Sequence, residues 1–166
     1  MKVKKLMQAD HAACSPDAPI AEAAKIMWER DCGFIPVVDD GALAGVLTDR
    51  DICMSALMTG LPLGLIRVRE VMSDDVQTCG PDDDVNAVHA ILRDSQIRRL
   101  PVVGDEGELL GVISLNDLVN EAYEGRSKAA SKRQRDAGKT LAAISEPREI
   151  EIDVEFDEVT EEQAQA

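Results

Sequence analysis

The 166-residue sequence has few aromatic residues and little positive charge, and each shortage disfavours certain classes of binding partner. Aromatic residues make up 2% of the chain, so the bases of a single-stranded nucleic acid would find few rings on which to stack. Lys and Arg number 18 against 32 for Asp and Glu, which gives a formal net charge of -14 that repels polyanions. We therefore expect no nucleic-acid partner and no membrane partner.

Long apolar runs and paired cysteine motifs are also absent. No apolar run reaches the about 18 residues that a membrane-spanning helix requires, and no apolar signal segment follows the first lysines. Cys14, Cys32, Cys53 and Cys79 form no C-x-x-C motif and lie in apolar stretches, where thiols behave as small hydrophobic side chains. These features favour a cytoplasmic protein with reduced thiols.

What the sequence does contain is an internal repeat. Residues 6–38 align with residues 71–103 at an offset of 65 (71 - 6), with nine identities in 33 positions. One extra residue in the second copy then raises the offset to 66, and the alignment continues through Gly41 with Gly107, Gly45 with Gly111, and Asp51 with Asp117. The chain therefore holds two copies of one unit.

Each copy predicts the element order β-α-β-β-α. Short extended pieces at 12–14 and 77–79 come first, and apolar residues at i, i+3, i+4 and i+7 then predict an amphipathic helix in each copy. The residues of these two stripes are Ile20, Ala23, Ala24 and Met27, and Val85, Val88, His89 and Leu92. Acidic-Gly turns predict hairpins over 34–48 and 100–114, and second helices follow over 49–58 and 115–123.

A unit of this size buries too little surface to be stable alone, so the two copies are expected to pack on each other with approximate two-fold symmetry. We predict an α/β (α+β) fold with units at residues 1–60 and 61–125, joined by a connector over 59–70. His89 lies on an apolar stripe, which favours a core position over a catalytic one. No nucleophile-base pair is visible, and we expect no enzyme activity.

Two motifs recur in register. Ile35-Pro36-Val37-Val38 precedes Gly45-Val46-Leu47-Thr48-Asp49-Arg50-Asp51, and Leu100-Pro101-Val102-Val103 precedes Gly111-Val112-Ile113-Ser114-Leu115-Asn116-Asp117. This arrangement resembles the tandem CBS domain pair, also called a Bateman module, over residues 1–125. The resemblance implies a homodimer whose clefts bind AMP, ADP, ATP or S-adenosylmethionine, with no required cofactor. It also implies that the module regulates a separate partner protein.

The motifs Thr48-x-x-Asp51 and Ser114-x-x-Asp117 are the candidate ligand corners. Each lies where a strand ends and a helix begins, so a carboxylate and a hydroxyl stand beside unpaired helical amides and can bind ribose and phosphate. The same spacing also describes a capping box, which stabilises a helix without any ligand. The resemblance favours ligand binding at one corner at least.

Basic residues distinguish the two copies. Arg98 and Arg99 precede the central strand of the second copy, so we expect the better phosphate site at Ser114 and Asp117, with one of these arginines on the phosphate. The segment Val76-Gln77-Thr78 would offer backbone groups to the base. The two arginines also fit a solvated patch for an acidic partner. Arg50 is flanked by Asp49 and Asp51, which neutralise it or leave it to reach the other cleft. The corner at Thr48 and Asp51 is therefore expected to be empty or to hold a nucleoside-like ligand.

After Gly125 the charge separates along the chain. Residues 126–140 carry six basic and one acidic residue, whereas residues 141–166 carry nine acidic and one basic. We expect residues 126–166 to form a charged, flexible extension, and their composition also permits a helix that continues from Tyr123 or a basic and an acidic part that fold back on each other. The alternation over 149–156 suits a strand that pairs with a sheet edge or a partner. The alternative function is a ligand-free dimeric scaffold that acts through this extension. The acidic run Asp82-Asp83-Asp84 lacks calcium-loop spacing, and no metal site is expected.

Overall fold

The computed structural model describes residues 1–124 and 128–147 and shows the repeat as two similar units. Unit 1 consists of α1 (Ile20–Glu29), β1 (Phe34–Asp39), β2 (Ala42–Thr48) and α2 (Asp49–Thr59). Unit 2 consists of α3 (Val85–Asp94), β3 (Arg99–Val103), β4 (Leu109–Ser114) and α4 (Leu115–Glu124). The mixed α/β class is confirmed, with every predicted helix and hairpin present. The hairpins and the second helices have bounds within one residue of those predicted, and α1 and α3 extend two residues beyond their apolar stripes.

The first predicted strand of each copy is shorter than expected. Cys14 forms a single parallel bridge with Val37, and Cys79 forms the equivalent bridge with Val102. Each sheet is thus an antiparallel hairpin, β1-β2 or β3-β4, with one extended residue alongside. Both cysteines are buried there, and burial raises the pKa of each thiol to about 11.

The two hairpins meet at their turns through hydrogen bonds that repeat the two-fold relation. Leu43 N donates to Gly107 O at 3.0 Å, and Leu109 N donates to Gly41 O at 3.4 Å. Both glycines have a positive φ, 88° at Gly41 and 83° at Gly107, which an L side chain rarely adopts. The acidic-Gly turns therefore close the hairpins and also join the units.

The units exchange short segments. A 3-10 turn at Val3–Lys5 places Val3 in the apolar core of unit 2, and a 3-10 turn at Val68–Glu70 places Val68 in the core of unit 1. Two of the aspartates at 82–84 secure the first segment, since Asp84 Oδ2 lies 3.0 Å from the N-terminal amine and Asp82 Oδ1 lies 2.7 Å from Lys4 Nζ. The acidic run thus has a structural use.

A fifth helix, α5 (Lys128–Ile144), lies within the extension that the sequence predicts to be flexible, and it packs against α3 and α4 of unit 2. Ala137, Thr140 and Ile144 are buried and share one face, because they recur at helical spacing. The burial of this face stabilises a helix whose other positions are mostly charged or polar. The strand-like run at 149–156 lies outside the described residues.

Polar contacts supplement the packing of α5. His89 Nδ1 lies 2.9 Å from Thr140 Oγ1, and Gln134 Nε2 donates to Ala122 O at 3.2 Å. Arg133 Nε lies 2.9 Å from a carboxylate oxygen of Glu121, an ion pair away from the ideal hydrogen-bond direction. His89 is buried, as its place on the apolar stripe predicts.

Candidate functional site

The first candidate corner, Thr48 with Asp51, forms where β2 ends and α2 begins. Asp51 Oδ2 accepts hydrogen bonds from Thr48 N at 2.8 Å and from Thr48 Oγ1 at 2.7 Å, while Asp51 N donates to Thr48 Oγ1 at 3.3 Å. This is a complete capping box. Within the described part of the chain nothing donates to Asp51 Oδ1, so that oxygen can still accept a ligand hydroxyl.

The second candidate corner, Ser114 with Asp117, has the same cap at the start of α4. Asp117 Oδ2 accepts from Ser114 N at 2.8 Å and from Ser114 Oγ at 2.5 Å. Its other oxygen, Oδ1, accepts from Gln8 Nε2 at 3.0 Å. Both carboxylate oxygens of Asp117 are therefore occupied within the chain, in contrast to those of Asp51.

A cleft of about 630 Å³ lies between the units beside the first corner. This volume falls within the range of about 300–1,000 Å³ that small-molecule sites occupy. Six of the nine predicted site residues line it, namely Thr48, Arg50, Asp51, Gln77, Arg98 and Arg99. Unit 1 supplies the first three and unit 2 supplies the others, so the cleft is a joint product of both copies.

The sequence places Arg98 and Arg99 on the same site as Ser114 and Asp117, whereas the structure places their side chains in the cleft beside Asp51. Ser114, Asp117 and Thr78 do not line that cleft. Arg99 pairs with Ser114 across the β3-β4 hairpin, which puts both side chains on one face of that hairpin, and the long Arg99 side chain extends from there to the Phe34 ring of unit 1.

Apolar side chains form a further part of the cleft wall. Phe34 and Val46 come from the unit 1 hairpin, and Ile97 and Pro101 approach from unit 2. The Arg99 guanidinium carbon lies 6.0 Å from the centre of the Phe34 ring, at the outer limit of a cation-π contact. A flat heterocycle can therefore stack among apolar side chains while its polar substituents reach the arginines and Asp51.

Sequence reasoning missed several residues of the cleft. Phe34 is equivalent to Arg99 of the second copy, so the alignment could have marked it once it was known that both copies line one cleft. Gln96 lies in the same short run of sequence as Arg98 and Arg99. Ile144 and Glu146 come from the end of the extension. The signal for Ile144 was its position on the small apolar stripe of α5, and no sequence signal marked Glu146.

A second cavity of about 410 Å³ lies on the helical face of unit 1, between α1 and α2. Met27, Trp28 and Ile52 line it together with the carboxylates Asp31 and Asp49. The equivalent face of unit 2 is the one that α5 covers. Trp28 is 87% exposed, which leaves an apolar surface on unit 1 open.

The described residues show neither a cluster of metal-binding side chains nor a helix that could span a membrane. Across 1–124 and 128–147, no three or more His, Cys, Asp or Glu side chains lie where they could hold a metal ion together. The helices of these same residues include none with the length and apolar character needed to cross a membrane.

Comparisons with known proteins agree with this architecture. A family model of the CBS domain matches residues 3–57 and 68–124. The CBS domain-containing protein YhcV of Bacillus subtilis is 40% identical over 129 residues, which are 78% of this chain and 91% of YhcV. Inosine-5'-monophosphate dehydrogenase of Thermoplasma acidophilum is 29% identical over 139 residues, which are 84% of this chain and only 27% of that enzyme.

A solved structure of a CBS domain pair is similar to this chain in fold. The CBS domain pair of protein MJ0100, in complex with 5'-methylthioadenosine and S-adenosyl-L-methionine, has a TM-score of 0.66 to this chain at 26% sequence identity. The match covers 76% of this chain and 98% of that chain. The matched part of the present chain thus has the architecture of a CBS domain pair.

Proposed function

Because the chain belongs to the CBS domain family, as two such domains in tandem, we propose that it is a regulatory module that binds an adenosyl ligand. The observation that carries this proposal is the 630 Å³ cleft, in which a carboxylate oxygen of Asp51 and two arginines of the other unit face one space. The complex of MJ0100 with two adenosyl compounds supports this class of ligand. AMP, ADP, ATP and S-adenosylmethionine are the candidates.

The chemistry of the cleft suits the parts of such a ligand. The apolar wall takes the adenine ring, and Asp51 Oδ1 accepts a hydrogen bond from a ribose hydroxyl. Arg50, Arg98 and Arg99 provide positive charge for a phosphate or carboxylate group. Each unit alone holds only part of this set, so occupancy of the cleft ties the two units together.

Calorimetric titration with AMP, ATP and S-adenosylmethionine tests the proposal, and the repeat provides a matched control. Asp51→Ala and Asp117→Ala each delete one capping box, so both variants lose a similar amount of helix stability. A hydrogen bond to a charged group contributes about 1.5–3 kcal/mol, so Asp51→Ala should weaken binding about tenfold to a hundredfold. The affinity of Asp117→Ala for these ligands should be close to that of the parent protein. Equal losses in both variants would contradict the assignment of the ribose to Asp51.

The alternative is a ligand-free dimeric scaffold, favoured by the fact that both corners are complete caps without any ligand. In that case none of the three compounds binds the folded protein, and deletion of residues 126–166 abolishes partner capture. The titration of the parent protein separates the two functions directly. In either case the regulated partner would be another polypeptide.

We further propose that the protein is a homodimer of the reducing cytoplasm. Apolar side chains exposed on the helical face of unit 1 support the dimer, among them Trp28, Leu57 and Met58. Exposed groups of this kind mark protein-protein contacts. Sedimentation should give a dimer for the parent protein and a monomer for Leu57→Glu. The free cysteines of the described residues fit a reducing compartment.

A further inference from the structure

The end of the extension forms part of the wall of the ligand cleft. Ile144 and Glu146 line this cleft, although both lie beyond residues 3–57 and 68–124 that match the CBS domain. The two domains alone would therefore leave this side of the cleft open. The extension adds an apolar group and a carboxylate that the repeat itself does not provide.

Specific contacts hold this segment at the cleft. Gln96 Nε2 donates to Ala143 O at 3.1 Å and to Glu146 O at 3.4 Å. Ile144 is buried in the apolar core of unit 2, and one helical turn earlier Thr140 contacts the buried His89. The backbone up to Glu146 is thus anchored to unit 2, while the Glu146 side chain stays exposed at the cleft.

The carboxylate of Glu146 changes the balance of charge in the cleft. Three arginines line it, Arg50, Arg98 and Arg99, and the carboxylates of Asp49, Asp51 and Asp75 oppose them in equal number. Glu146 is the fourth carboxylate, so the described lining carries an excess of negative charge. A site with this balance repels a triphosphate more than it repels a ligand with a cationic group.

We infer that Glu146 is a specificity-determining residue, which disfavours polyphosphate ligands and favours an adenosyl ligand with a cationic group. S-adenosylmethionine has this chemistry, because it carries a sulfonium and an ammonium group against one carboxylate, whereas ATP carries only negative charge beyond its ribose. The inference rests on the proposed function, since it concerns the same cleft. It assigns the extension a role in choosing the ligand.

The test compares the affinities of ATP and S-adenosylmethionine for the full-length protein by calorimetry. In Glu146→Gln the ratio of ATP affinity to S-adenosylmethionine affinity should rise about twofold to tenfold at low salt. Glu146→Lys should move this ratio further in the same direction. Asp105→Asn, which makes the same change of charge in the turn between β3 and β4 and does not line the cleft, should leave the ratio unchanged.

Salt dependence adds a second readout, because the Debye length falls from about 10 Å at 0.1 M salt to about 3 Å at 1 M. The difference between the parent protein and Glu146→Gln should shrink as salt is added. An unchanged ratio in both Glu146 variants would overturn this inference, while loss of binding in Asp51→Ala would still support the proposed function. A folded parent protein that binds neither of these compounds would overturn this inference, and one that also fails to bind AMP and ADP would overturn the proposed function.

Discussion

Lowering the pH should weaken the docking of α5 on unit 2, because His89 is buried in their interface as the neutral imidazole. Burial lowers the pKa of His89 below its ordinary value of 6.5; Arg93 lowers it as well, while Asp136 acts in the opposite direction. Thr140 Oγ1 donates its one proton to Asp136 O at 2.9 Å, so the ring Nδ1 must donate to Thr140. The neutral tautomer with the proton on Nδ1 satisfies this arrangement.

The sign of the effect follows from proton linkage. With the folded-state pKa below the unfolded value, the unfolded chain binds more protons in acid, so stability increases with pH over this range. The contribution of His89 is therefore complete above pH 6.5, declines as the pH falls through 6.5 towards the folded-state pKa, and then levels off. Each unit of separation between the two pKa values corresponds to about 1.4 kcal/mol.

Two variants isolate the effect. His89→Leu removes the titrating group, so the difference in unfolding free energy between parent and variant should be constant above about pH 6.5 and should change as the pH falls below it. Thr140→Val keeps the shape but leaves the buried Nδ1-H unpaired, at a cost of about 1–3 kcal/mol at neutral pH. Denaturation gives these free energies, and hydrogen exchange of the α5 amides locates them. A difference between parent and His89→Leu that stays constant with pH would refute the reasoning.

Two further predictions concern packing and thiols. A Cβ at Gly45 would lie 2.8 Å from the carbonyl oxygen of Ser73, so Gly45→Ala should reduce the unfolding free energy by about 1–3 kcal/mol in a urea titration, whereas Gly64→Ala, with nothing within 4 Å, should change it little. Equal stability of the two variants would contradict this packing. Cys14 is buried with a pKa of about 11, so a thiol reagent should modify exposed Cys53 in the native protein and reach Cys14 only after unfolding. Similar rates of modification for the two would be evidence against the burial of Cys14.

Most of the fold can be predicted from the sequence because the repeat constrains it twice. The apolar spacing that starts at Ile20 and at Val85 locates α1 and α3, and the two acidic-Gly turns locate both hairpins. The exchange of segments could not be predicted in this way. Val3 and Val68 are short apolar positions without periodicity, and only the assembled units show which core each one enters.

Six of the nine residues predicted for the site line the cleft, but the sequence did not predict that the arginines would lie beside Asp51 rather than beside Asp117. Residues of one hairpin, such as Arg99 and Ser114, were expected to share a site; their side chains do lie on one face of the hairpin, but the long Arg99 side chain extends to Phe34 of unit 1. The two units pack so that Arg98 and Arg99 line the same cleft as Asp51 instead. Glu146 was hidden because charge and polarity dominate the extension, and composition alone favours disorder there.

The most direct test of the account is a crystal structure of the protein with S-adenosylmethionine. We expect the adenosyl group to bind in the cleft between the units, with a ribose hydroxyl donating to Asp51 Oδ1 and with Arg98 or Arg99 near the polar end of the ligand. Ribose bound at Asp117, with Gln8 displaced from Oδ1, would contradict the central claim that the two units build this site jointly beside the first corner. An empty cleft at saturating ligand would contradict it as well.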